Sequence, residues 1–296
     1  MKTIASRQNP IVRACRDLAD RPDSTGARLL LDGAHLVREA AEAGLEYEVV
    51  CVASSHVDRR TEAGDLAMAL DDRGVNVAVM PDKLFTAISP VRTPSGIVAI
   101  AKRRGPAPRV SDIVSSRTAI VLVGVDIQEP GNVGALLRVT EAAGGGGVLL
   151  TGQSASPFSW KALRGSMGSG LRLPVLHDPS PASVFETLRA QQVGTVAAVA
   201  RGGLAPDAVA WPGRVAIVVG GEGPGLSSDI VARCDQRVTI PMAPPVESLN
   251  VTVAAAILLY AARRQRESMQ DGAAGRGFSP AADDTERGAS TPPEES

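Results

Sequence analysis

Aromatic residues are scarce in this chain: Phe, Trp and Tyr together make up 3% of its 296 residues. Reading single-stranded nucleic acid by stacking bases needs exposed rings, so this scarcity argues against stacking platforms and leaves an aliphatic core. Cysteine is rarer still. Cys15, Cys51 and Cys234 are odd in number and widely separated, with no CxxC pair and no nearby pair of histidines. They form neither a disulfide framework nor a zinc site, and no metal is expected; a reducing cytoplasm is the natural compartment. Long hydrophobic runs are missing as well. MKTIASRQNP at the start has no apolar signal core, and the longest apolar stretch, Val251 to Ala262, already contains Thr252 and is too short to cross a bilayer. No membrane is expected.

Charge of one sign is absent only on average. The net charge is −1, but Asp271, Asp283, Asp284, Glu286, Glu294 and Glu295 gather in the last stretch against Arg276 and Arg287. The remainder therefore carries a small positive excess. Basic residues cluster at Arg7, Arg13, Arg16, Arg21 and Arg28, and again at Lys102, Arg103, Arg104 and Arg109, which permits a modest basic surface. Arginine runs are more often plain solvated faces, so this is weak evidence for a nucleic-acid partner.

What is there is an alternation of short β-type and helical segments. Asn9-Pro10 starts a helix carrying Ile11, Val12, Cys15 and Leu18 at helical spacing. Strands at 29–31, 47–53, 76–80 and 96–101, with helices at 35–43, 62–72 and 84–88 between them, complete a compact α/β domain over residues 1–102. The charged, proline-rich KRRGPAPRV opens a linker at 103–116. A second alternating series fills 117–268, with parallel strands and crossover helices expected. It holds strands at 118–125, 148–151, 173–175, 195–200, 214–219 and 236–240, and helices at 133–143, 161–165, 182–191, 227–233 and 249–267. Residues 269–296, rich in Gly, Ala, Ser, Pro and acid, are expected to be a disordered tail.

Three stretches of the second series break local rules, and each follows a strand, where open α/β sheets bind ligands. In VDIQEPGNVGALLRVTEAAG (125–144), Asn132 stands where a helix N-cap is wanted and Arg138 falls in an otherwise apolar helix. In VVGGEGPGLS (218–227), glycines enclose Glu222 and allow backbone to approach a ligand closely; the spacing fits neither a P-loop nor GxGxxG. In IPMAPPVESLNVTVAAAILLYAARRQR (240–266), Pro244 and Pro245 forbid regular structure, Ser248 can cap the following helix, Ala254, Ala255 and Ala256 allow close approach, and Asn250 is oddly polar. Singly, each has a plain structural reading as a cap, a turn or a packed helix. His35, His56 and His177 have no metal spacing and read as structural, and Phe158 and Trp160 beside Lys161 and Arg164 read as helix packing before RNA contact.

In this order, Asn132 with Arg138, GGEGPGLS and IPM…ESLNV resemble the three motifs of the SpoU-type (TrmH-like) RNA ribose 2′-O-methyltransferases of the SPOUT superfamily, over residues 118–266. SRQNPIVRACRDLAD, LLLDGAHLVREA and SPVRTPSGIVAIAKR are similar to that family's ribosomal-protein-like substrate-binding domain, with Asp32 where relatives usually carry glutamate. The resemblance implies a C-terminal parallel-sheet domain with a deep trefoil knot and a smaller N-terminal α/β RNA-binding domain. It implies a cytoplasmic homodimer joined through the knotted domain, with Arg138 serving a cofactor held by the partner. It also implies bent S-adenosyl-L-methionine held at Gly220, Ile240 and Leu249 with Met242 close by, and an active-site set of Asn132, Arg138, Glu222, Ser248 and Asn250. The implied reaction is methylation of a ribose 2′-hydroxyl of structured RNA, ribosomal RNA ahead of transfer RNA, as part of rRNA processing. Of the alternatives, a non-catalytic RNA-binding or ribosome-associated protein is opposed by the joint presence of that residue set. A Rossmann oxidoreductase is opposed by the missing glycine fingerprint.

Overall fold

The computed structural model describes residues 1–274 except Arg104, Pro106, Ala107, Arg117, Thr118, Pro179 and Pro212. The chain folds around two sheets. The first is built from β1 (Lys2–Thr3), α1 (Pro10–Asp20), β2 (Arg28–Asp32), α2 (Ala34–Glu42), β3 (Glu46–Ala53), α3 (Ser54–Asp58), α4 (Glu62–Asp72), β4 (Val77–Met80), α5 (Asp82–Phe85) and β5 (Ile97–Lys102). Its strand order is β1-β4-β3-β5-β2; β5 runs antiparallel to β2 and β3, while the pairs β1–β4 and β3–β4 are parallel. Asn9 caps α1 as its sequence suggests, Oδ1 accepting from Ile11 N at 2.9 Å with Pro10 behind it.

The second sheet comes from α6 (Val110–Ile113), β6 (Ile120–Val125), α7 (Pro130–Ala142), β7 (Gly147–Thr151), α8 (Trp160–Ser166), α9 (Ser169–Arg172), β8 (Val175–Asp178), α10 (Pro181–Ala190), β9 (Gly194–Ala198), β10 (Val215–Gly220), α11 (Ser228–Arg233), β11 (Gln236–Val238) and α12 (Val251–Ala274). Its order, β11-β9-β10-β6-β7-β8, is parallel throughout. The chain starts at β6, moves outward through β7 and β8, then returns to the other side. The order therefore reverses between β6 and β10, and the crevice beyond their carboxyl ends is where such a sheet receives a ligand.

Side chains alternating along β6 divide the core. Ile120 and Leu122 face α7 and α12, packing with Val133, Leu136, Leu137, Ala255, Leu258 and Ala262. Val121, Val123 and Val125 face the other way, toward Val184, Phe185 and Leu188 of α10 and Ile230 of α11.

The two sheets are joined in an unforeseen way. Leu163 of α8 and Leu171 of α9 lie in the apolar cluster of the first sheet, with Leu29, Leu31, Val50 and Val52, and Phe158 joins them. Burying each leucine is worth about 1.5–3 kcal/mol, so this segment anchors one sheet to the other. The Arg103 guanidinium stacks 5.2 Å from the Phe158 ring centre, and Nη2 donates to Gly170 O at 3.0 Å. Arg103 thus belongs to the seam and not to a basic surface. Arg28, from the other basic cluster, pairs with Glu48 at 2.8 Å.

Several boundaries move. The short helix α6 lies within the stretch read as a linker, and the strand expected at 118–125 begins at Ile120. The strand expected at 173–175 is β8 at 175–178, placing His177 inside it. The last helix, expected to end near 267, continues to Ala274, into the stretch expected to be an unstructured tail; residues 275–296 lie outside the described residues.

Candidate active site

The three rule-breaking stretches meet at the carboxyl end of the second sheet. β10 ends at Gly220 and its loop turns against the loop after β6: Gly221 N donates to Val125 O at 2.8 Å. A side chain at 221 would collide with the Asp126 carbonyl oxygen, so only glycine lets these two loops touch. A cleft of about 450 Å³ opens beside them, walled by Gly220, Gly221, Gly223 and Gly225 on one side. Ile240, Met242, Ser248, Leu249 and Asn250 from the loop before α12 form another wall, and Ala254 and Leu258 of α12 close a third.

Gly220, Ile240, Met242 and Leu249, the candidate cofactor contacts, therefore line one cavity together with Glu222, Ser248 and Asn250. Asn132 does not line it but is tied to its rim. Its Nδ2 donates to Glu222 Oε1, and its Oδ1 accepts from Asn250 Nδ2 at 3.3 Å. The chain Asn250–Asn132–Glu222 thus threads one residue from each stretch. The bond to a carboxylate is charge-assisted and fixes which way the Asn132 amide points.

Two local expectations change. Asn132 is not the N-cap of α7: Pro130 takes the first helical position, and the Glu129 side chain accepts from Gly131 N, leaving Asn132 inside the first turn. Its side chain is thereby free to bond across loops. Ser248 does not cap α12 either. Asn250 does, its Oδ1 accepting from Thr252 N at 2.8 Å and its carbonyl from Ala254 N at 3.0 Å. The odd polarity of Asn250 reflects both duties: its acceptor caps the helix and its donor reaches Asn132.

Arg138 lies further along α7, exposed, with no hydrogen bond or ion pair among the described residues. It is outside the cleft lining. The sequence reading missed Leu226 and the β9 end, Ala198 to Ala200, as cleft walls; small and aliphatic residues after a strand carry no distinguishing signal. Of the three alanines singled out, Ala254 meets the cleft, whereas Ala255 is buried in the core.

The histidines lie elsewhere. His56 Nδ1 shares a hydrogen bond with Thr61 Oγ1 at 2.9 Å, His177 Nε2 meets Ser154 O at 3.2 Å, and His35 Nε2 lies 3.4 Å from Met167 O. Among the described residues no group of His, Cys, Asp and Glu could hold a metal ion, and no helix is long and apolar enough to cross a membrane. Burial raises the Cys234 thiol to about 11 with a further push from Asp235, so it stays protonated and unreactive. Phe158 is buried and Trp160 packs against the first sheet's other apolar cluster, as the packing reading expects.

Residues 119–260 match the model of the SpoU rRNA Methylase family. A protein of Synechocystis sp. named an uncharacterized tRNA/rRNA methyltransferase is 31% identical, the match covering 89% of this chain and 94% of that protein. The Bacillus subtilis 23S rRNA (guanosine(2553)-2′-O)-methyltransferase is 29% identical over 88% of this chain and 98% of its own length. Among solved structures, an AdoMet-bound rRNA methyltransferase from Sinorhizobium meliloti superposes with a TM-score of 0.74 at 25% identity, covering 89% of this chain and 98% of that one.

Proposed function

Since the chain belongs to the SpoU rRNA methylase family, we propose that it transfers a methyl group from S-adenosyl-L-methionine to a ribose 2′-hydroxyl of structured RNA, with ribosomal RNA as its substrate class. The observation that carries this reading is the Asn250–Asn132–Glu222 chain at the rim of a glycine-walled cleft.

The cleft fits the cofactor. Its volume of about 450 Å³ lies within the range of roughly 300–1,000 Å³ typical of small-molecule sites. Gly220 and Gly221 present bare backbone to a ligand, while Ile240, Met242, Leu249 and Leu258 supply apolar walls for an adenine ring and a thioether. Bound there, the cofactor supplies an electrophilic methyl group on a positively charged sulfur.

A ribose hydroxyl is a weak nucleophile and loses its proton as it attacks. Arg138 acts as a fixed cation that stabilises the developing alkoxide or the adjacent phosphate, because a guanidinium keeps its proton in protein settings. Glu222 and Asn250 hold the Asn132 amide in one orientation at the rim, and Ser248 offers a further hydroxyl to the substrate. The first sheet, residues 1–102, serves as the RNA-binding domain, and 117–268 as the methyltransferase domain with its C-terminal segment threaded as a trefoil knot. Two copies pair through the knotted domain in the cytoplasm, each setting its Arg138 toward the cofactor of the other. An exposed apolar stripe on α12, Val253, Ile257 and Tyr260 at helical spacing, supports that pairing.

The test is transfer from tritiated S-adenosyl-L-methionine to total RNA from cells lacking the protein. Label is expected in alkali-resistant, 2′-O-methylated dinucleotides; label on a base, or none, overturns the reading. Arg138→Ala is expected to lower kcat by about 10²–10³, the scale of one preorganised charge-stabilising donor, with cofactor binding unchanged by calorimetry. Wild-type turnover in that variant would remove Arg138 from the chemistry.

A further inference from the structure

Arg172, at the end of α9, holds two carboxylates at once. Its Nε and Nη2 donate to Glu141 Oε1 and Oε2, both at 2.8 Å, and its Nη1 donates to Glu39 Oε2 on α2 of the first sheet. The Arg172 side chain is 39% exposed, that of Glu141 31% and that of Glu39 18%. Glu141 stands on α7 three residues beyond Arg138, and residues at that spacing are neighbours on a helix surface. Arg138 itself is unpaired among the described residues. A carboxylate with no other partner at 141 would attract the Arg138 guanidinium. The two-pronged grip of Arg172 takes up both of its oxygens, a geometry that a guanidinium offers and an ammonium does not.

We propose that Arg172 is a positioning residue for methyl transfer: it sequesters Glu141, so that the Arg138 guanidinium stays open to the RNA. Glu39 fixes Arg172 from the first sheet, which makes the pairing state of α7 depend on how the two sheets are joined. This rests on the role given to Arg138 above.

The probe is again total RNA from cells lacking the protein. R172A is expected to lower kcat about two- to fivefold, the range set by a helix-surface ion pair. A purely structural defect at the seam would do the same, so R172A/E141Q separates the two. The double variant recovers wild-type kcat while keeping the lowered thermal midpoint of R172A, because a neutral glutamine does not capture Arg138. E141Q alone keeps wild-type kcat, whereas E39Q, which loosens Arg172, lowers kcat by less than R172A does. Should R172A fail to fold, R172K, gripping one oxygen at a time, gives a smaller loss that E141Q likewise reverses. Wild-type kcat in R172A, or a double variant as slow as R172A, overturns the proposal. R138A at wild-type turnover would instead overturn the underlying role of Arg138, so the two failures are distinguishable.

Discussion

At the scale of single residues, one group often serves two loops. Asn250 caps α12 with its acceptor and reaches Asn132 with its donor, and Asn132 passes the bond on to Glu222. Asp32, the last residue of β2, is a second case. Its side chain is 1% exposed, with Oδ1 accepting from Ser95 Oγ at 3.0 Å and Oδ2 lying 3.5 Å from Arg164 Nη1 of α8. Burial pushes its pKa above the ordinary 3.8, against the downward pull of Ser95 and Arg164. The folded chain therefore holds this proton more tightly than the unfolded chain does. The stability that Asp32 contributes is full below pH 3.8 and is lost as pH rises through the native-state value. Urea midpoints across that window should fall for the wild type relative to Asp32→Asn, whose side chain does not titrate. Parallel curves would show that Asp32 is not the source.

At the scale of elements, α7 is set by its contact with α8. A Cβ on Gly134 would run into the Ala162 carbonyl and come within 2.9 Å of the Gly165 backbone, whereas on Gly131 its nearest neighbour is the Glu129 side chain at 3.7 Å. Gly134→Ala should cost about 1–3 kcal/mol in denaturant unfolding, as overpacking does, and Gly131→Ala much less; equal costs would mean that α8 yields. Such contacts mark where the sequence stops being legible. Asn9-Pro10 announces α1 and the apolar runs announce β3 and β6, because caps and periodicity are local. The three motif stretches are also legible, since glycine, proline and stray polar residues break that periodicity. The caps of α7 and α12 are not legible, because two suitable side chains stand close together in each case and only the cross-loop partners decide which turns inward. α8 and α9 were unreadable as seam elements: Leu163 and Leu171 look like any helix leucines, and nothing local says that they fill the other sheet's core.

At the scale of the whole molecule, the exposed α12 stripe makes a statement about assembly. Ile257 is 39% exposed and Tyr260 48%, an apolar face beside α7. Ile257→Asp should shift the mass measured by light scattering from two chains to one while leaving the fold intact. A wild type that already runs as one chain would remove the paired arrangement. The cleft itself is assembled from positions far apart in the chain: Asn132 bonds to a residue 90 positions away and to another 118 positions away. During synthesis, which runs from the N-terminus, the core of the first sheet is completed only once Phe158, Leu163 and Leu171 have left the ribosome. The cavity wall cannot close until Asn250 has emerged. A chain stalled ahead of α12 would therefore lack one wall of the cleft and leave Asn132 without its Asn250 partner.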